Sequence, residues 1–152
     1  MVKRWQFDWT TSMNYEISRK FFPKVNRERQ RQTRTKSRKN LQLLAQAATG
    51  HGLFAGQLSK WHDMPATCQL CESREAIETS WHIWHECEAL EVEQLQRVAA
   101  QGPPEATEQS ASDKQDQDQI IAYFRLDRIA DLMERNSMTI ETLKELRERE
   151  SQ

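Results

Sequence analysis

The sequence predicts a mainly α chain: a small helical domain stapled by a Cys/His cluster, then a disordered linker and C-terminal amphipathic helices. Three observations carry that expectation. Apolar residues recur at helical rather than alternating spacing, all three cysteines fall within residues 68–87, and residues 101–119 hold no large apolar side chain. At 152 residues the chain has room for one ordinary domain with appendages. With 37% hydrophobic and 30% charged residues, part of it is expected to stay outside any core. No run approaches the roughly 18 apolar residues of a membrane span, and no apolar region follows Met1-Val2-Lys3-Arg4-Trp5, so neither a membrane helix nor a secretory signal is expected. An odd cysteine count argues against a disulfide framework and for a reduced, intracellular setting, nucleus or cytoplasm.

Residues 1–48 read as an aromatic and basic helical region. Trp5, Trp9, Met13, Ile17 and Phe21 repeat every four residues, which suits one slowly drifting helix face packed on a core; Thr10, Thr11, Ser12 and Asn14 weaken the helix and Pro23 ends it. Residues 26–40 (NRERQRQTRTKSRKN) are dominated by Arg and Lys and lead into Leu41, Leu43, Leu44, Ala47 and Ala48. A single long helix, basic in its first half and apolar in its second, is the simplest reading, with Gly50 and Gly52 stopping it. On that helix Arg27, Arg31, Arg34 and Arg38 would line one face.

Residues 49–100 form the expected metal-binding domain. A short helix should carry Leu53, Phe54, Leu58 and Trp61, and Trp81 or Trp84 should pack against it beside the cysteines. A Glu- and Gln-rich helix follows from about Glu88 to Ala100, ended by Gly102-Pro103-Pro104. After the 101–119 linker, residues 120–152 form amphipathic helices: Ile120, Ile121, Phe124, Ile129, Leu132 and Met133 in one, closed near Asn136, and Ile140, Leu143 and Leu146 in a last one capped by Thr139.

A formal net charge of -1 conceals a strong polarity. Residues 1–40 carry twelve Lys/Arg against three acids, a net +9, and residues 41–152 carry ten against twenty, a net -10. The basic end either meets a polyanion or complements the acidic part of its own chain.

The cysteines and one histidine are spaced Cys68-x2-Cys71-x10-His82-x4-Cys87. Two cysteines separated by two residues bind one ion from a tight turn, and a His and a Cys further on supply the second half. Thiolate and imidazole together suit zinc. Both His82 and His85 lie near Cys87; His82-x4-Cys87 lets the chain curve around the ion, whereas His85-x-Cys87 crowds two ligands into three residues, so His82 is favoured. Competing readings fit less well. A redox C-x-x-C needs a βαβ context, a zinc deaminase has its H-x-E before the cysteines rather than after, and three cysteines that merely pack leave this spacing unexplained. No G-x-S-x-G, H-E-x-x-H or phosphate-cradling Gly loop occurs, so no catalysis is expected, and a four-ligand zinc site leaves no open position for water.

The stretch TGHGLFAGQLSKW, then CQLC, then ESREAI, then ETSWHIWHEC, spanning residues 49–87, resembles the zinc-binding segment C-terminal to the reverse transcriptase and RNase H domains of non-LTR retrotransposon polyproteins. The resemblance covers residues 41–90 and extends more loosely to Phe21-Phe22-Pro23. It implies zinc held by Cys68, Cys71, His82 and Cys87, and a segment that contacts nucleic acid as an accessory. The Y/F-x-D-D motif of the family's polymerase does not occur, and the helical pattern leaves no sheet for an RNase H site. The resemblance therefore implies a retroelement-derived zinc module without its catalytic domains, and the charge of the basic run at 26–39 makes Arg27, Arg31, Arg34 and Arg38 the expected contacts to RNA or DNA. A zinc-stabilised protein-interaction module, docking a partner through the C-terminal helices, and a fragment without function are the alternatives.

Overall fold

The computed structural model describes the backbone of residues 2–24, 27–100 and 109–152, and the side chains within those ranges except at 2, 27, 28 and 109–116. Among the described residues every regular element is helical, and strand-like pairing is confined to one antiparallel bridge, Thr67 with Ile77.

The aromatic stripe divides between α1 (Val2–Thr11) and α2 (Glu16–Phe21). The chain turns through Ser12–Tyr15, where weak helix formers meet and Tyr15 takes a left-handed φ of 62°. Met13 is consequently 95% exposed. Of the stripe, Ile17 abuts Gly50, Phe21 packs edge-on against Trp81 at 5.1 Å, and the Trp9 Nε1–H donates to the Phe22 carbonyl at 2.8 Å.

The basic run is two helices, which corrects the single helix expected from propensity. α3 (Arg27–Thr33) ends in a turn over residues 34–36, and α4 (Arg38–Thr49) starts afresh. Ser37 makes the difference: its backbone is extended and its hydroxyl accepts from the Asn40 N–H at 3.2 Å, an N-cap inside what reads as continuous helix. α4 buries Leu44, Ala47 and Ala48 and packs on α2 and on α7 (Gln109–Phe124). It stops at Gly50, whose φ of 75° suits glycine and whose missing Cβ admits α2; a Cβ there would sit 2.6 Å from Ile17 Cδ1.

Three further boundaries differ from the sequence reading. Residues 101–108 of the expected linker lie outside the described residues, but 109–119 are helical, as the first part of α7. Its end carries Ile120, Ile121, Tyr123 and Phe124 into the core, and helix propagates back from that anchor through Gln, Lys, Ser and Ala, which tolerate it. Gln117, on the buried face, donates to the Arg29 carbonyl at 3.2 Å. The break expected near Asn136 falls instead between α7 and α8 (Asp127–Glu150). Thr139 is no cap: its hydroxyl donates to the Arg135 carbonyl at 2.9 Å within α8. Last, the helix expected from Glu88 begins as a 3-10 turn (Glu88–Leu90) before α6 (Glu91–Ala100).

Phe54, Ile83, Leu90, Ile120, Phe124, Ile129 and Leu132 form the centre of the core. Trp84 joins it through Phe21, Tyr123 and Phe124, with the Arg97 guanidinium 3.6 Å over its ring. Trp61, expected on the short helix with Leu58, lies past that helix's end and is 73% exposed. Among the described residues no helix is long and apolar enough to cross a membrane.

Candidate metal centre

Two short segments deliver the four side chains. The first is the loop carrying Cys68 and Cys71. The Cys68 N–H donates to the Ala76 carbonyl and the Glu78 N–H to the Ala66 carbonyl, both at 2.9 Å, which closes the loop around the Thr67–Ile77 bridge. Glu72, just after Cys71, takes a left-handed φ of 53° and reverses the chain.

The second segment is a single π-type turn, His82–Glu86, closed by the Cys87 N–H on the His82 carbonyl at 2.7 Å. On an α-helix, residues five apart sit about 140° from one another around the axis. The wider i→i+5 turn brings position 87 back over position 82, so His82 and Cys87 face the same point. Thr79 starts this turn: its hydroxyl accepts from the His82 N–H at 3.0 Å.

The ligand atoms of Cys68, Cys71, His82 and Cys87 all lie within 4.8 Å of one another, and the group can hold a metal ion. Cys68, His82 and Cys87 are buried and Cys71 is half-buried. The Cys68 and Cys87 sulfurs are 3.9 Å apart, and Cys71 Sγ lies 3.5 Å from His82 Nε2. The other ring nitrogen, Nδ1, faces the Glu86 carboxylate at 3.8 Å, so Nε2 is the atom left for an ion. His85 is exposed and stacks beside Trp81 at 5.3 Å, outside the group.

The four side chains also shift one another's protons. Hydrogen bonding to Cys87, then burial, pushes the Cys68 thiol up to about 12, while the same contact holds Cys87 below the usual thiol range. The Cys68 sulfur, against the opposing effect of burial, pushes His82 up to about 9.

Behind the loop lies a polar knot. The Glu78 side chain is fully buried; Oε2 accepts from the Ala55 N–H at 2.6 Å and from Asn136 Nδ2 at 3.0 Å, and Oε1 accepts from the Gln69 N–H at 3.3 Å. Asn136 also donates to the Leu53 carbonyl and accepts from Gln69 Nε2, both at 2.9 Å. Gly56, in α5 (Ala55–Leu58), donates to the Glu78 carbonyl, and a Cβ there would meet that oxygen at 2.8 Å. Glu78 and Thr79 are the Glu-Thr of the ETSWHIWHEC run, so the motif itself marked them. Asn136, 58 residues further on, carried no signal except as a helix end.

The four arginines expected on one helix face do not share one. Arg31 lies on α3, Arg34 in the turn and Arg38 at the start of α4, all three exposed; Arg27 begins α3, with its side chain outside the described residues. Part of the basic run is engaged internally, since Lys36 pairs with Asp118 at 2.6 Å and Arg29 donates to the Lys24 carbonyl at 3.0 Å.

Comparison with family models, with characterised proteins and with solved structures finds no match to this chain.

Proposed function

We propose that this chain is a retroelement-derived zinc module that contacts nucleic acid and carries out no catalysis. The observation that supports it most is the gathering of Cys68, Cys71, His82 and Cys87 into one group, since those are the residues of the retroelement-like motif. A tetrahedral zinc held about 2.3 Å from sulfur and about 2.0 Å from nitrogen separates two sulfurs by about 3.8 Å and a sulfur from a nitrogen by about 3.5 Å. Two of the six separations, 3.9 and 3.5 Å, match those edges, and all six lie within 4.8 Å. Four protein ligands fill the coordination sphere, so the ion acts as a staple and not as a Lewis acid.

The polyanion is engaged through charge. Arg31, Arg34 and Arg38 follow one another across α3, the turn and α4 as a bent cationic surface, suited to phosphates and not to base edges. Changing Arg27, Arg31, Arg34 and Arg38 together to Gln should weaken binding to every sequence alike. It should also flatten the logarithmic salt dependence by roughly 0.7–0.9 per lost phosphate contact. A variant with the parent's affinity and slope would contradict the assignment. A protein partner is the second reading, favoured by the apolar face of α6, where Val92, Leu95 and Val98 are exposed. A protein bound by the parent and lost on Leu95→Glu, with no nucleic acid bound by either, would support that reading instead.

A further inference from the structure

With Glu72, Tyr15 is one of two non-glycine residues with a left-handed φ among the described residues. Its φ of 62° and ψ of 37° are left-handed, a conformation few aromatic residues adopt. The ring is 68% exposed and lies parallel to Trp9, 6.3 Å between centroids and 19° between planes. It is also a wall shared by two clefts. One, of about 360 Å³, is lined by Trp5, Trp9 and Tyr15 with Asp8 and Ser12. The other, of about 530 Å³, lies over the Thr49-Gly50-His51 turn and is lined by Ser18, His51 and Lys60 together with Glu16, whose carboxylate pairs with Lys20 at 3.6 Å.

The two clefts suit the two halves of a nucleotide. The first is a shallow, open cleft that offers π faces on which a base can stack, and Asp8 can accept from an exocyclic amine. The second offers an ammonium, an imidazole and a hydroxyl for a phosphate. The surrounding chain carries the complementary charge: residues 1–24 hold Lys3, Arg4, Arg19, Lys20 and Lys24 against Asp8 and Glu16. Duplex bases are stacked on one another and cannot reach such a platform, whereas unpaired bases can.

We infer that Trp5, Trp9 and Tyr15 form a stacking platform for an unpaired strand, with its phosphate over His51 and Lys60, so the preferred ligand is single-stranded nucleic acid. This rests on the nucleic-acid reading above and adds to it the strandedness of the ligand and a second contact surface. The left-handed turn at Tyr15 holds the ring outward between the clefts, and Trp9 supports it from behind while donating to the Phe22 carbonyl.

The test is fluorescence anisotropy of the zinc-loaded chain with a labelled mixed-sequence 12-mer, as single-stranded RNA, single-stranded DNA and duplex. The parent should bind both single strands more tightly than the duplex. Tyr15→Gly keeps the backbone conformation and removes the ring; it should cost about tenfold in single-strand affinity, leave duplex affinity unchanged, and retain zinc. Tyr15→Phe should restore single-strand binding. If the parent binds strands and Tyr15→Gly binds them equally well, the platform is overturned while the nucleic-acid reading stands. If the parent binds no nucleic acid of any form, both fail. If the parent instead dimerises and Tyr15→Gly abolishes dimerisation without changing strand affinity, the patch belongs to a second copy of the chain.

Discussion

Asn136, in the middle of α8, donates a hydrogen bond to the fully buried Glu78 at 3.0 Å, and so ties the last helix to the loop that carries Cys68 and Cys71. Through the same two side chains run the Leu53 carbonyl, the Ala55 N–H and both the backbone and side chain of Gln69. Removing either one leaves buried polar groups without partners. Asn136→Ala should lower the stability of the metal-loaded chain by about 2 kcal/mol, and Glu78→Ala by about 3 kcal/mol, measured by urea unfolding. The double variant should cost less than the sum, because the two losses share a hydrogen bond. Midpoints unchanged from the parent would mean the knot contributes nothing.

Gly50→Ala isolates the closure between α2 and α4. The left-handed φ of 75° costs alanine about 1 kcal/mol, and the new Cβ meets Ile17 Cδ1. Because that atom ends a flexible side chain, the backbone cost should dominate. Adding Ile17→Val, which removes Cδ1, should recover only a small part of the loss. Full recovery would show that the contact, and not the backbone, sets the glycine requirement.

The pH dependence of metal binding follows from the protons that the four side chains hold. At pH 7 the Cys68 thiol, pushed up to about 12, and His82, pushed up to about 9, are both protonated in the folded chain and must give up those protons to the buffer before they can ligate an ion. At least two protons should therefore appear per ion bound, because every ligating cysteine binds as a thiolate, and affinity should rise with pH from 6 to 8. Calorimetry in buffers of different ionisation enthalpy reads the number directly. Binding with no proton release would contradict the ligand roles of Cys68 and His82.

Much of the site was legible because metal spacing is local. Cys68, Cys71, His82 and Cys87 lie within twenty residues, and the preference for His82 over His85 needed only the curvature of the chain between ligands. The mainly helical class followed from periodicity in the same way. What escaped depended on competition or distance. Ser37 outcompetes the helix propensity around it, Gln117 reads as linker because its burial depends on α3, and Asn136 reads as a stop because nothing nearby announces Glu78. The four arginines share one face only on a continuous helix, which Ser37 divides.

Metal content of the purified chain and its two histidine variants tests the central claim most directly. The parent should carry about one zinc per chain and unfold over residues 65–90 when any of the three cysteines becomes Ser, since a structural zinc supplies on the order of 10 kcal/mol of folding free energy. His85→Ala should retain that zinc and His82→Ala should lose it. A His82→Ala chain that keeps its zinc, or a parent that binds none, would contradict the Cys68–Cys71–His82–Cys87 centre.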